Sequence, residues 1–406
     1  MRAIWLLVAA MCLFACGSES VARVEDERAD REAREPSTPD EARRAENEPS
    51  GAIAPGVHDT AATGRVPNAA LRSRGFRALD APGGSWGDHR LRRHPSGAVW
   101  LAAFRRGGPL GLHLTGFDEG TWRDVGHVPM PHGASSPNEV EIDAQGTVHV
   151  THRSADGARI HHTTWRDGRT RTVDLGPGAG ILTLDAVGRA RVLVREDGAL
   201  TLFTPRASGP PTRTPLGEGH GHPLLAFHVS EAGDVTLAST DPARSRVRLV
   251  RPGAGGATAH PLPEGYPRRF VSAAFDRSGT VHVAAEHRDG ADVLYVRGSL
   301  DAGFTDLELV AEPGRGHAHP LVSTHGRDAL IVASVTDRDL GNPRIALFVV
   351  GPDGSVRHAD VGPYDLETER YTAPTVAGDG SVFIGSWGSM GSGDGRVRTN
   401  APAASP

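Results

Sequence analysis

Asp143-Ala144-Gln145-Gly146-Thr147-Val148-His149-Val150 and Asp276-Arg277-Ser278-Gly279-Thr280-Val281-His282-Val283 are two copies of one phrase, a tight turn ending in glycine and then apolar residues at alternate positions. Period-two alternation is the mark of a strand with two distinct faces. The same anchor recurs at Gly97 with Val99 and Leu101, Gly188 with Ala190 and Val192, Gly233 with Val235 and Leu237, and Gly380 with Val382 and Ile384. A further unit has Asp328 in the glycine place, followed by Leu330 and Val332. Aspartate tolerates a left-handed backbone better than most residues, so the same kind of turn is expected there. Seven anchors spaced 42 to 52 residues apart have the period of a four-stranded propeller blade.

Within each unit the order is strand, turn, strand, longer polar loop, strand, turn, strand. In the fifth unit these are Phe270 to Phe275, Thr280 to Ala285, Asp292 to Arg297 and Asp306 to Ala311. The last unit is short of one strand, and Phe76 to Asp80, ahead of the first complete unit, is expected to supply it. Closure between the chain ends removes the edges that an open sheet would expose. The expected fold is therefore all-β, a propeller of about seven four-stranded blades over residues 76 to 400, with 401 to 406 a flexible tail. Composition agrees, with 51 glycines, 30 prolines and only 5% aromatic residues, as suits many short strands joined by turns. All 44 basic residues are arginine. That excludes Schiff-base chemistry, a pyridoxal-phosphate lysine and a Walker-type phosphate loop, each of which needs an amine.

The N-terminus has a different character. Arg2 and the apolar run from Ile4 to Phe14 read as an export signal over residues 1 to 15, too short for a permanent membrane span. Residues 16 to 75 are rich in Glu, Asp, Arg and Pro and read as a disordered acidic tether. The folded remainder is then close to neutral, which argues against nucleic acid as a partner. Leu13-Phe14-Ala15-Cys16 resembles the lipobox of bacterial lipoproteins. The resemblance implies acylation of Cys16 and a lipid anchor in the cell envelope. With Gly17 and Ser18 after the cysteine, it also implies sorting to the outer membrane. The other cysteine, Cys12, would leave with the signal, so no disulfide is expected.

Ser299-Leu300-Asp301-Ala302-Gly303-Phe304-Thr305-Asp306 resembles the Asp-box of BNR and sialidase-like propellers, with Asp306 in place of the final aromatic. Asp118-Glu119-Gly120-Thr121-Trp122 is similar but more degenerate. The Asp-box is a hairpin motif in which polar side chains satisfy turn amides, so it implies a blade and no reaction.

The connections from the outer strand of one blade to the inner strand of the next should converge at one end of the axis. They carry Trp86 and His89; His132 and Asn138; His220 and His222; Tyr266, Arg268 and Arg269; Arg315, His317 and His319; and Glu369, Arg370 and Tyr371. Histidine, arginine and tyrosine collected at one end suggest a polar cup for a sugar or an anion. The near-copies Gly219-His220-Gly221-His222-Pro223 and Gly316-His317-Ala318-His319-Pro320 could share a metal, but repeat kinship explains the likeness more simply. No metal and no cofactor is assigned. A sialidase would need a tyrosine nucleophile beside a glutamate, for which Tyr371 and Glu369 have the right chemistry, with Arg268, Arg315 and Arg370 to grip a carboxylate. A polysaccharide lyase would need a base such as His222, His319 or Tyr266 near Arg268. His149, His161, His162 and His282 fall inside strands, where packing or hydrogen bonding is the expected role. The leading expectation is a monomeric, non-catalytic module for a glycan or an envelope protein, and the alternative is a carbohydrate-active enzyme.

Overall fold

The computed structural model describes residues 57–59, 65–67, 71, 75–80, 86–105, 111–130, 137–218, 223–241, 246–252, 256–261, 271–286, 293–305, 308–309, 315–337, 344–363, 369–388 and 395–402. Two strands precede the first blade, β1 (Val57–Asp59) and β2 (Arg77–Asp80). Blade one is β3 (Trp86–Arg93), β4 (Val99–Arg105), β5 (Gly111–Asp118) and β6 (Thr121–Pro129). Blade two is β7 (Pro137–Ile142), β8 (Val148–Arg153), β9 (Arg159–Arg166) and β10 (Arg169–Pro177). Blade three is β11 (Ala179–Leu184), β12 (Ala190–Glu196), β13 (Ala199–Thr204) and β14 (Thr212–Glu218). Blade four is β15 (Leu224–Val229), β16 (Val235–Asp241), β17 (Arg246–Arg251) and β18 (Gly256–Pro261). Blade five is β19 (Val271–Phe275), β20 (Val281–Glu286) and β21 (Val293–Ser299), with its outer position shared by β22 (Gly303–Phe304) and β23 (Glu308–Leu309). Blade six is β24 (Arg315–His325), β25 (Asp328–Asp337), β26 (Arg344–Val350) and β27 (Val356–Pro363). Blade seven begins with β28 (Glu369–Tyr371) and β29 (Thr375–Val376), both paired to β30 (Val382–Gly388), and continues with β31 (Arg396–Thr399).

The sheets form a seven-bladed β-propeller, each blade a small antiparallel meander. β2 pairs with β31, Arg77 opposite Thr399 and Asp80 opposite Arg396, so the N-terminal strand completes blade seven as the sequence predicts. The alternating apolar residues fill the seams. Seven apolar clusters lie one at each junction between neighbouring blades, including the junction of blade seven with blade one. Fully buried Phe227, Phe275, Tyr295, Phe348 and Phe383 are the largest wedges among them. Burying one such side chain stabilises the fold by about 2 kcal/mol.

The anchor turns explain the recurring phrase. Gly146 N–H donates to the Asp143 carbonyl at 2.9 Å, Gly188 to Asp185 at 2.8 Å and Gly279 to Asp276 at 3.1 Å, and the glycines sit at φ of 79°, 80° and 84°. This is a type I turn closed by a left-handed residue, a conformation that glycine adopts without steric cost. Each aspartate caps its own turn. Asp143 Oδ1 accepts from Gln145 and Thr147 N–H, Asp185 Oδ1 from Val187 and Arg189 N–H, and Asp276 Oδ1 from Ser278 and Thr280 N–H. The second oxygen meets the side chain six residues on: His149 at 3.1 Å, Arg191 at 2.8 Å and His282 at 3.5 Å.

Two expectations change. Asp328 does not take the left-handed turn position: Gly326, at φ 59°, does, and Asp328 opens β25 as the partner of His325. A two-residue turn, Gly326-Arg327, has replaced the longer one, which moves the aspartate into the strand and buries its carboxylate completely. The boundary at residue 76 also moves upstream. β1 pairs with β24, and Val66 is 1% exposed within the seam of blades six and seven. One valine in a polar stretch has no periodicity by which to be noticed, so its burial is a tertiary event. The flexible tail is expected from 401, yet Ala401 is buried in the seam of blades seven and one, and its carbonyl and that of Pro402 accept from Arg77.

Candidate ligand cup at the loop-rich end

The connections between blades and the loops between second and third strands share one end of the ring, and the capped turns lie at the other. Away from the loop-rich end, along their length and toward the capped turns, the innermost strands are stitched to one another. Arg92 on β3 meets Glu141 on β7 at 3.0 Å, both buried. Glu139 on β7 accepts from the N–H of Leu182 on β11. Val322 N–H on β24 donates to Ser272 Oγ at 3.1 Å, Ser323 Oγ to the Pro374 carbonyl at 2.7 Å, and Thr375 Oγ1 to the Leu91 carbonyl at 3.0 Å. These bonds hold the inner wall from blade to blade.

The structure brings His319 and Tyr371 together. His319 sits at a bulge in β24 with φ 55°, a backbone that a non-glycine residue keeps only when its neighbours fix it. Two neighbours do so. Its N–H donates to Glu286 Oε2 at 3.1 Å, and its carbonyl accepts from the Tyr371 hydroxyl at 2.6 Å. That hydroxyl in turn accepts from Ser334 N–H at 2.9 Å, and Tyr371 is buried. Tyr371 is therefore a tie between strands and not a side chain presented to a ligand, which corrects its placing in the cup. His89 is likewise fully buried, packed across the seam against Gly385, where any side chain would overlap the imidazole.

The remaining expected residues divide in two. Trp86, Asn138, Arg315 and Arg370 have their backbones in the innermost strands β3, β7, β24 and β28, with side chains outside the described part of the structure. Cys16, His132, His222, Tyr266 and Arg268 lie outside the described residues altogether.

Sequence reasoning missed two carboxyl groups. Burial pushes Glu139 up to about 8, helped by the charge of Glu141 and opposed by the hydrogen bond from Leu182 N–H. Burial pushes Glu286 up to about 7, opposed by the bond from His319 N–H. Both hold a proton near neutral pH, so each can donate as well as accept. The signal was present: Glu286 follows Val283, Ala284 and Ala285 in a fully buried strand, and Glu139 and Glu141 alternate with Val140 and Ile142.

The strand histidines are packed, as expected of them. His149 Nδ1 lies 3.1 Å from His162 Nε2, and His282 Nδ1 lies 2.6 Å from the Tyr295 hydroxyl. Burial, with the neighbouring charges of His149 and His152, holds His162 well below the usual imidazole range. His162 also lines a shallow cleft between blades two and three, with Arg171, Val173, Phe203 and Arg206.

Three solved structures resemble parts of the chain. A puromycin hydrolase matches over 78% of this chain and 52% of its own, at 17% identity and a TM-score of 0.44. A prolyl endopeptidase matches over 78% and 47%, at 12% identity and 0.45. A protein of Lactobacillus plantarum matches over 69% and 86%, at 15% identity and 0.45. The chain spans about half the length of the first two. At such identities the likeness is one of fold alone. No family model matches the chain, and no curated protein does.

Proposed function

We propose that this chain is a non-catalytic binding propeller of the bacterial cell envelope, anchored through an acylated Cys16, whose loop-rich end takes a glycan or an envelope protein. The observation that carries the reading is the commitment of Tyr371. A glycosidase nucleophile must face its substrate, whereas this hydroxyl donates to one strand, accepts from another and is buried. His89 is also packed in a seam, so these two described side chains act as structure, and recognition falls to the loops above them. The kinship with BNR propellers is part of the proposal. The Ser299 to Phe304 hairpin supports it, with Ser299 Oγ accepting from Ala302 N–H at 3.0 Å and Thr305 N–H donating to the Arg297 carbonyl at 2.8 Å.

The protein from Gly17 onward, screened on a glycan array and assayed in parallel for released saccharide, tests the reading. Retention without product is the expected result. Turnover of any saccharide overturns it, and turnover lost in Tyr371→Phe would put a sialidase-type enzyme in its place. Labelling of intact cells with a radioactive fatty acid tests the anchor, because Cys16→Ser should abolish a label that the wild type carries. A wild type without label refutes it.

A further inference from the structure

β1 lies on the axis of the ring. It pairs in parallel with β24, Val57 opposite Ser323, His58 opposite Thr324 and Asp59 opposite His325. It also comes beside β11, β19 and β29, innermost strands of blades three, five and seven. A segment adjacent to inner strands so far apart round the ring can only be in the central channel. The reason for pairing there is elementary. The innermost strand of a blade has one strand neighbour, so the N–H and C=O groups of its other edge face the channel and can take a further strand.

We propose that the channel edge of β24 is a strand-binding site for an extended peptide, occupied in cis by Val57–Asp59 as a displaceable plug. Recognition by strand addition reads the main chain, so the ligand class is an unfolded or extended polypeptide that can run parallel to β24.

Two observations give the plug its character. The paired stretch is only three residues long, and few main-chain bonds hold it. A short distance downstream the chain is firmly clamped. Val66 is buried, its N–H donates to the fully buried Asp328 at 2.9 Å, and its carbonyl accepts from Arg357 at 2.6 Å. Arg65 adds ion pairs to Asp328 at 3.4 Å and to Asp353 at 3.1 Å. A weak strand close to a fixed clamp is held by its high effective concentration, so removal of the strand's own affinity frees the edge while the clamp stays in place.

The full-length protein tests this with a fluorescent peptide spanning residues 54–62 and hydrogen exchange read by mass on the same segment of the chain. Asp59→Pro removes a ladder donor from the plug without touching the blades, because the channel-facing Thr324 lies between residues 57 and 59 in the parallel register. In the wild type the segment 57–59 should exchange at least about tenfold more slowly than the free peptide, and the labelled peptide should not bind. Asp59→Pro should lose that protection and bind the peptide at least about tenfold more tightly than the wild type does. Free-peptide exchange in the wild type overturns the proposal, and so does a variant that binds no more peptide than the wild type. Unchanged protection of Leu330 and Val332 amides in the variant shows that blade six has kept its fold.

Discussion

Replacing Glu286 by glutamine should change how stability depends on pH. In the folded chain burial holds this carboxyl at about 7, against an ordinary value of 4.5. Each unit of difference between folded and unfolded chain corresponds to about 1.4 kcal/mol, so the full displacement is worth about 3 kcal/mol. The folded carboxyl binds its proton more tightly than the unfolded one, so its contribution is whole below pH 4.5 and is lost as the pH rises through 7. The wild type should therefore lose up to about 3 kcal/mol from this group between roughly pH 4.5 and pH 8. E286Q has nothing to ionise, and its amide oxygen can still accept from His319 N–H. Urea unfolding of both proteins across that range gives a difference curve in which every other titrating group cancels. The variant should gain on the wild type steadily with rising pH. A difference flat to within about 0.5 kcal/mol would refute the claim that Glu286 is buried as an acid. E139Q should show the same sign over a window that opens at the same pH and extends higher, because Glu139 is held at about 8.

Asp328→Ala leaves Arg357 beside an empty carboxylate site and Val66 N–H without its acceptor, so a loss of about 3 kcal/mol is expected in chemical denaturation, with faster amide exchange at Val66. Tyr371→Phe removes one donor and one acceptor from a buried tie and should cost about 1–3 kcal/mol, while affinity for any ligand found at the loop-rich end stays within about twofold. Gly178 and Gly233 make a controlled pair, with φ of 111° and 90°. A side chain at Gly178 would overlap the Arg195 carbonyl, whereas one at Gly233 meets nothing, so Gly178→Ala should lower the melting temperature clearly more than Gly233→Ala, whose cost is about 1 kcal/mol.

The ring was legible because its signals are local and repeated. Each glycine anchor names a turn, the valines behind it name a face, and the missing seventh outer strand has one candidate in Arg77–Asp80. The interior of the cup was not legible in the same way. Tyr371 and His89 look like ligand groups in a sequence, since nothing nearby reveals that Ser334, His319 and Gly385 will enclose them. Glu286 escaped notice for the opposite reason: an acid at the end of an apolar run reads as a strand meeting solvent, and its burial depends on His319, from the next blade. Asp328 shows the limit of analogy between repeats, because a hairpin connection shortened from five residues to two turns a capping position into the anchor for a distant segment.

The pairing of β2 with β31 joins the two extremes of the fold, and the Arg77 guanidinium reaches a carbonyl 324 residues away. A loop of that size costs about 5 kcal/mol in chain entropy before any contact rewards it, so closure belongs at the end of folding. A nascent chain holds only an open arc, whose last seam stays wet until the final strand has arrived. Proteins made without Arg396–Thr399 should accumulate as that arc and be recognised as unfinished, which makes the C-terminal strand the clasp on which the lifetime of the whole necklace depends.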